Sequence, residues 1–172
     1  MRDELVERLH KDYPDLCKKA DDGDFGVGDG WFNIIDTLCS LMSSKVDRIR
    51  RELERLKIKD QALTHYTEHQ LHEALEELPV IKQVKEKFGA LRFYVDGVTD
   101  EHRAYIDFAE SLSMRTCEEC GAPGTPRNAG WTKTLCDKHH REREAGEDIP
   151  RPYIRYHGLF NTRLSDETPD EN

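Results

Sequence analysis

Four side chains near the C-terminus constrain this sequence more than any other feature: Cys117, Cys120, Cys136 and His139. They lie in a CxxCGxPG segment at 117–124 and a CxxH segment at 136–139, with fifteen residues between Cys120 and Cys136. Thiolate and imidazole are the ligands zinc prefers, and two pairs spaced i, i+3 present four of them to one ion. Gly121, directly after the first pair, supplies the positive φ that lets a tight turn close around a metal. The gap has room for a short hairpin, and Trp131, Thr132, Lys133, Thr134 and Leu135 have the composition of its second strand. Cys136 and His139 then fall on the first turn of a helix running through Glu144, where i and i+3 share a face. Knuckle, hairpin and helix in that order predict a treble-clef-like module holding a structural Zn2+. Four protein ligands leave the metal no open position for chemistry. His140, at i+4 from Cys136, competes for the fourth position; CxxH mirrors the first pair and favours His139.

The remaining cysteines, Cys17 and Cys39, stand alone beside apolar residues and read as inert core thiols. An odd count of five, with no apolar secretory run after Met1-Arg2-Asp3-Glu4, points to reduced thiols and a cytoplasmic setting. No stretch approaches the roughly 18 apolar residues of a membrane span. The net charge of −9 opposes bulk attraction to nucleic acid or anionic lipid, although a local basic patch can defeat the average. Hydrophobic residues at 36% and charged residues at 35% predict a modest core with long solvated helix faces.

Leu5, Val6 and Leu9 mark one face of a short helix punctuated by Pro14. Residues 21–30, with four glycines and four aspartates, read as a loop that lacks the alternating ligands and closing Glu of a calcium site. Asp29 is placed to cap the next helix. From Trp31 the apolar positions recur through Ile34, Ile35, Leu38, Leu41, Met42, Val46, Ile49, Leu53 and Leu56, a helical stripe of about seven turns. Arg48, Arg51 and Arg55, interleaved with Glu52 and Glu54, read as its solvated face. A further helix over 61–78 ends at Pro79; it carries His65, His69 and His72 on one face, without the Glu that would make a zincin motif. The segment 80–97 reads as a hairpin turning near Gly89. Its second arm alternates clearly, whereas Val80, Val84 and Phe88 in the first arm also suit a helix. Asp100 is then placed to cap a helix through Ser113 with Ile106, Phe108, Ala109 and Leu112 as its apolar face.

These elements predict an α+β chain. A mainly helical domain spans 1–115 with a β-hairpin at about 80–96, and the zinc-binding module spans 116–146. An extended, partly disordered tail covers 147–172, where Tyr153 and Tyr156 are aromatic interface candidates.

The combination of Gly28-Asp29-Gly30-Trp31 at a helix start, the segment Val84-Lys85-Glu86-Lys87-Phe88-Gly89-Ala90-Leu91-Arg92-Phe93-Tyr94, and the cysteine–histidine pattern with Gly130-Trp131 resembles small phage- and prophage-encoded proteins of unassigned function. The likeness covers roughly residues 25–140. It implies a phage accessory protein that binds and blocks a component of the bacterial host, such as a defence system, and it supplies no catalytic residue.

Three functions compete on this basis. The first is a non-enzymatic protein-binding module, with Lys85, Lys87, Arg92, Tyr94, Trp131, Tyr153 and Tyr156 as candidate contacts. The second is a nucleic-acid-binding protein whose footprint is Lys82, Lys85, Lys87 and Arg92 with Arg48, Arg51 and Arg55. The third is a metal-dependent nuclease or nucleotide hydrolase. Treble-clef nucleases of the HNH type need a histidine on the hairpin, and 121–135 contains none. A reaction assembled from Asp24, Asp29, Glu86 and Tyr94 would require the fold to gather them.

Overall fold

The computed structural model describes residues 1–56 and 61–146. Helix α1 (Asp3–Asp12) buries Val6 and Leu9, and carries Asp3 and Glu4 in its first turn and His10 and Lys11 in its last, charges that complement the helix dipole. Pro14 opens the short α2 (Pro14–Cys17), where its missing N–H and fixed φ suit a first turn. The long stripe forms α3 (Phe32–Leu56), with Ile35, Leu38, Met42 and Val46 almost fully enclosed. Each such side chain contributes roughly 1.5–3 kcal/mol by leaving water. Leu41, counted in the stripe, lies at its margin and is exposed. Helix α4 (Gln61–Glu77) returns along α3.

Strands β2 (Val80–Lys87) and β3 (Ala90–Asp96) pair antiparallel, which settles the ambiguous first arm as strand. A register irregularity between Ile81 and Gln83 adds one residue, so that Ile81 and Val84, an odd number of positions apart, are both buried, a break in strict alternation that a bulge produces. The turn consists of Phe88 and Gly89, both at positive φ (56° and 77°). Two-residue turns of this hand match the twist of the strands. Glycine adopts that backbone freely, whereas an L-residue with a side chain gives up roughly 1–2 kcal/mol there.

The aspartate- and glycine-rich segment 21–30 is not wholly a loop. Its residues Phe25 and Gly26 form β1 (Phe25–Gly26), parallel to β2 with Phe25 opposite Val84. The resulting sheet runs β1-β2-β3. Asp29 does not cap α3. It sits inside a 3-10 turn (Asp29–Trp31) capped by Gly28, and its carboxylate accepts instead from the Arg2 backbone N–H at 2.8 Å and from the Arg2 side chain.

Helix α5 (Asp100–Ser113) is capped not by Asp100 but by Thr99, whose Oγ1 accepts from the His102 N–H at 3.3 Å. Its buried face is Ile106, Ala109 and Ser113, while Phe108 points outward. This helix covers the open edge of the sheet. Ser113 Oγ accepts from Leu91 N–H at 2.8 Å, and Glu110 Oε1 accepts from Phe93 N–H at 3.1 Å. Backbone donors of an edge strand are thereby used internally rather than left for another chain.

The C-terminal part comprises β4 (Thr125–Ala129), β5 (Trp131–Leu135) and α6 (Asp137–Glu144), with Thr125 opposite Leu135 and Ala129 opposite Trp131. Among the described residues, no helix is long and apolar enough to cross a membrane.

Candidate metal centre

The first ligand pair sits on a turn made by local backbone bonds. Cys117 N–H donates to Ala122 O at 2.7 Å and Gly121 N–H to Cys117 O at 2.9 Å, with Gly121 at φ +76° as its position demands. The second pair sits where β5 runs into α6. Cys136 is the N-cap residue, so His139 rides the first turn. This brings the Cys117, Cys120, Cys136 and His139 donor atoms within 4.8 Å of one another, a group that could hold a metal ion. All three thiols are free rather than paired in a disulfide.

Within the cluster, His139 Nδ1 lies 3.4 Å from Cys117 Sγ and 3.3 Å from Cys136 Sγ, and Cys120 Sγ lies 3.9 Å from Cys136 Sγ. His139 presents Nδ1 to the thiols while its Nε2 lies 3.7 Å from Glu142, so the ring is oriented from behind by a carboxylate. His140 turns its Nε2 toward Glu144 at 3.6 Å and stays outside the group. Burial pushes the Cys117 thiol up to about 11. Cys136 is drawn down to about 7, first by the backbone N–H of His139 at the helix start. One thiol is thus prepared as a thiolate, while the enclosed one gains by meeting a cation.

The knuckle is built into the rest of the fold. Gly30 N–H donates to Glu118 O at 2.8 Å, Gly28 N–H to Glu118 Oε1 at 3.2 Å, and the Trp31 indole N–H to Thr116 O at 2.8 Å. A Cβ at Gly30 would stand 2.4 Å from Gly121 N, so the two glycines meet back to back. Glu118 is buried; desolvation raises its carboxyl pKa, and Lys133 Nζ at 3.1 Å works in the opposite direction. Desolvation disfavours the Lys133 ammonium, but Glu118 and Glu119 outweigh it and raise its pKa. Sequence reasoning did not find Gly28, Gly30 or Glu118 as supports of the cluster. The GDGW segment was the available signal, because two glycines flanking an aspartate suit a close backbone approach as well as a loop.

The candidate partner contacts divide. Lys85 Nζ lies 5.1 Å from the Tyr94 ring centroid, and Trp131 donates its indole N–H to Glu86 Oε2 at 2.6 Å. Lys87 Nζ lies 5.6 Å from the ring of Phe88, a residue not singled out as a contact. Arg92 is taken up by Glu110 at 2.9 Å and by Leu91 O. Tyr153 and Tyr156 lie outside the described residues.

Part of the proposed basic footprint is also engaged internally: Lys82 with Asp96, Arg55 with Glu52, and Arg51 with the Asp47 carbonyl. His65, His69 and His72 each lie beside a glutamate of their own helix, Glu68, Glu73 and Glu76. The four side chains that a reaction would need are dispersed among separate partners. Asp24 accepts from Asp21 N–H, Asp29 pairs with Arg2, Glu86 binds Gly89 and Trp131, and Tyr94 lies under Lys85. No family model, curated protein or solved structure matches this chain.

Proposed function

We propose that this chain is a zinc-stabilised, non-enzymatic binding protein whose C-terminal part is a treble-clef finger and whose partner is a protein. One observation carries the metal assignment: the spacing of the four donor atoms. A tetrahedral ion with bonds of about 2.3 Å to sulfur and about 2.0 Å to nitrogen has edges of about 3.8 Å between sulfurs and about 3.5 Å between sulfur and nitrogen. Three of the six spacings, 3.9, 3.4 and 3.3 Å, follow that pattern, and all six lie within 4.8 Å. Three thiolates and one imidazole complete a zinc shell, so the ion organises the chain and has no vacancy for a substrate. The order of knuckle, β4–β5 hairpin and α6 supports the treble-clef reading. Internal pairing of Lys82, Arg92 and Arg55 thins the basic footprint and favours a protein partner over nucleic acid. A component of a bacterial host is the partner that the resemblance to phage accessory proteins suggests.

Elemental analysis of purified protein should return about one zinc per chain, as a single four-ligand site requires. Affinity capture from bacterial lysate should give one stoichiometric protein, lost in Cys117→Ser. Zinc well below one equivalent sinks the metal assignment; copurifying nucleic acid in place of protein, or turnover in a nuclease or nucleotide-hydrolase screen, sinks the binding assignment.

A further inference from the structure

Two-residue turns like that between β2 and β3 accept asparagine or glycine at the first position at little cost, whereas a bulky side chain there is strained. Phe88 holds that position at φ 56° and is 72% exposed, so packing within the described chain does not offset the strain. Strain retained without an internal benefit points to an external one. Beside it, the Glu86 carboxylate ties the turn to the start of β5, accepting from Gly89 N–H at 2.6 Å through Oε1 and from the Trp131 indole at 2.6 Å through Oε2. Trp131 is thereby fixed near the turn while 61% exposed.

Charge gives the second observation. Lys87 lies over Phe88 and Lys85 over the exposed Tyr94. Among the described residues neither lysine has an ion-pair partner, in a chain where acidic residues outnumber basic ones 35 to 26. Nearby cations differ: Lys82 pairs with Asp96, Arg92 with Glu110 and Lys133 with Glu118.

We propose that the β2–β3 turn and the start of β5 form a docking surface, anchored by Phe88 and Trp131, for a protein segment carrying carboxylates next to apolar side chains. The inference rests on the binding-protein reading above and names the chemistry of its partner. A carboxylate meets ammonium groups already held over aromatic rings, and apolar side chains settle on Phe88 and Trp131, the residue types that anchor interfaces. A nucleic-acid strand fits less well. Bases stacking on Tyr94 or Phe88 would displace the lysines held over those rings, whereas a carboxylate meets the lysines where they are.

The test is selection of a random dodecapeptide display library on immobilised, zinc-loaded full-length protein. Retained peptides should carry Asp or Glu beside Leu, Ile, Phe or Trp. The strongest, resynthesised, should bind Phe88→Asn and Trp131→Ala at least about tenfold more weakly, as loss of an interface anchor does. Phe88→Asn should melt no lower than wild type, because asparagine suits the turn, so its loss of binding is not a loss of fold. No enrichment, binding undiminished in both variants, or tighter binding of a thymidine oligonucleotide overturns the surface. If both variants still capture the wild-type partner from lysate, this surface is wrong and the binding-protein reading stands. If wild type captures none, that reading falls and takes this surface with it.

Discussion

Gly30 and Cys117 touch through their backbones: a Cβ added to Gly30 would lie 2.2 Å from the Cys117 carbonyl oxygen. The atoms on the far side are backbone atoms of Cys120 and Gly121, so no flexible side chain can move aside. Gly30→Ala must therefore push the ligand turn away and break the Gly30–Glu118 hydrogen bond. Overpacking of this kind, with a buried bond lost, costs about 3 kcal/mol. Urea titration should record that loss, and competition with a chromophoric chelator should show weaker zinc retention. Unchanged stability and retention would mean that the knuckle and the helix start are independent.

The same coupling predicts what metal removal does to a distant tryptophan. Trp31 is fully buried and bonded to Thr116, one residue before the first ligand, whereas Trp131 is exposed. In a Trp131→Phe background, all indole emission comes from Trp31. Chelation should shift that emission to the red and lower stability by about 4 kcal/mol or more, the linkage expected of zinc held at a thousand times its dissociation constant. Emission that stays blue after complete zinc loss would show that the Trp31 pocket does not need the ion.

The cluster was legible because its information is local. Spacing i, i+3 within 117–120 and 136–139 is a property of adjacent residues, and Gly121 announces its turn. The α3 stripe was legible for a similar reason, since periodicity repeats over many turns. What escaped depends on partners far along the chain. Phe25 pairs with Val84, so β1 has no pattern of its own beyond two residues. The Asp29 carboxylate had a closer use in Arg2 than in capping. Thr99 and Asp100 are both good caps, and the choice falls to Thr99, whose extended backbone and Oγ1 bond to the His102 N–H leave Asp100 in the first turn. Phe88 illustrates the opposite limit, since apolar character alone gives no sign that a turn will hold it outside.

Glu110 should matter more for solubility than its partial exposure implies. Its carboxylate accepts from both the Phe93 N–H and Arg92 Nη1. Glu110→Ala leaves a strand donor and a half-enclosed guanidinium without that partner, at about 1–3 kcal/mol. It also uncovers the β3 edge, so light scattering on heating should rise earlier than in wild type. Glu110→Gln, which can still accept from Phe93, should lie between. Equal behaviour of the two variants would argue against edge protection.

Tyr13 Oη shares its proton between the Asp36 carbonyl oxygen and Oδ1, each at 3.0 Å, which joins the start of α2 to α3. Burial, followed by the hydrogen bond to Asp36, raises its pKa from about 10 to about 12. The folded state therefore prefers the neutral hydroxyl. The stability this contributes is fully present below pH 10 and is lost as the pH rises toward 12. Tyr13→Phe removes the hydroxyl and should cost about 1 kcal/mol at pH 8, the net worth of such a bond. Between pH 10 and 12 the wild type should lose stability faster than Tyr13→Phe, so that the gap narrows, while other alkaline transitions affect both proteins alike. Urea midpoints at pH 8, 9, 10 and 11 measure the gap directly, and a gap that stays constant or widens would remove Tyr13 from the account.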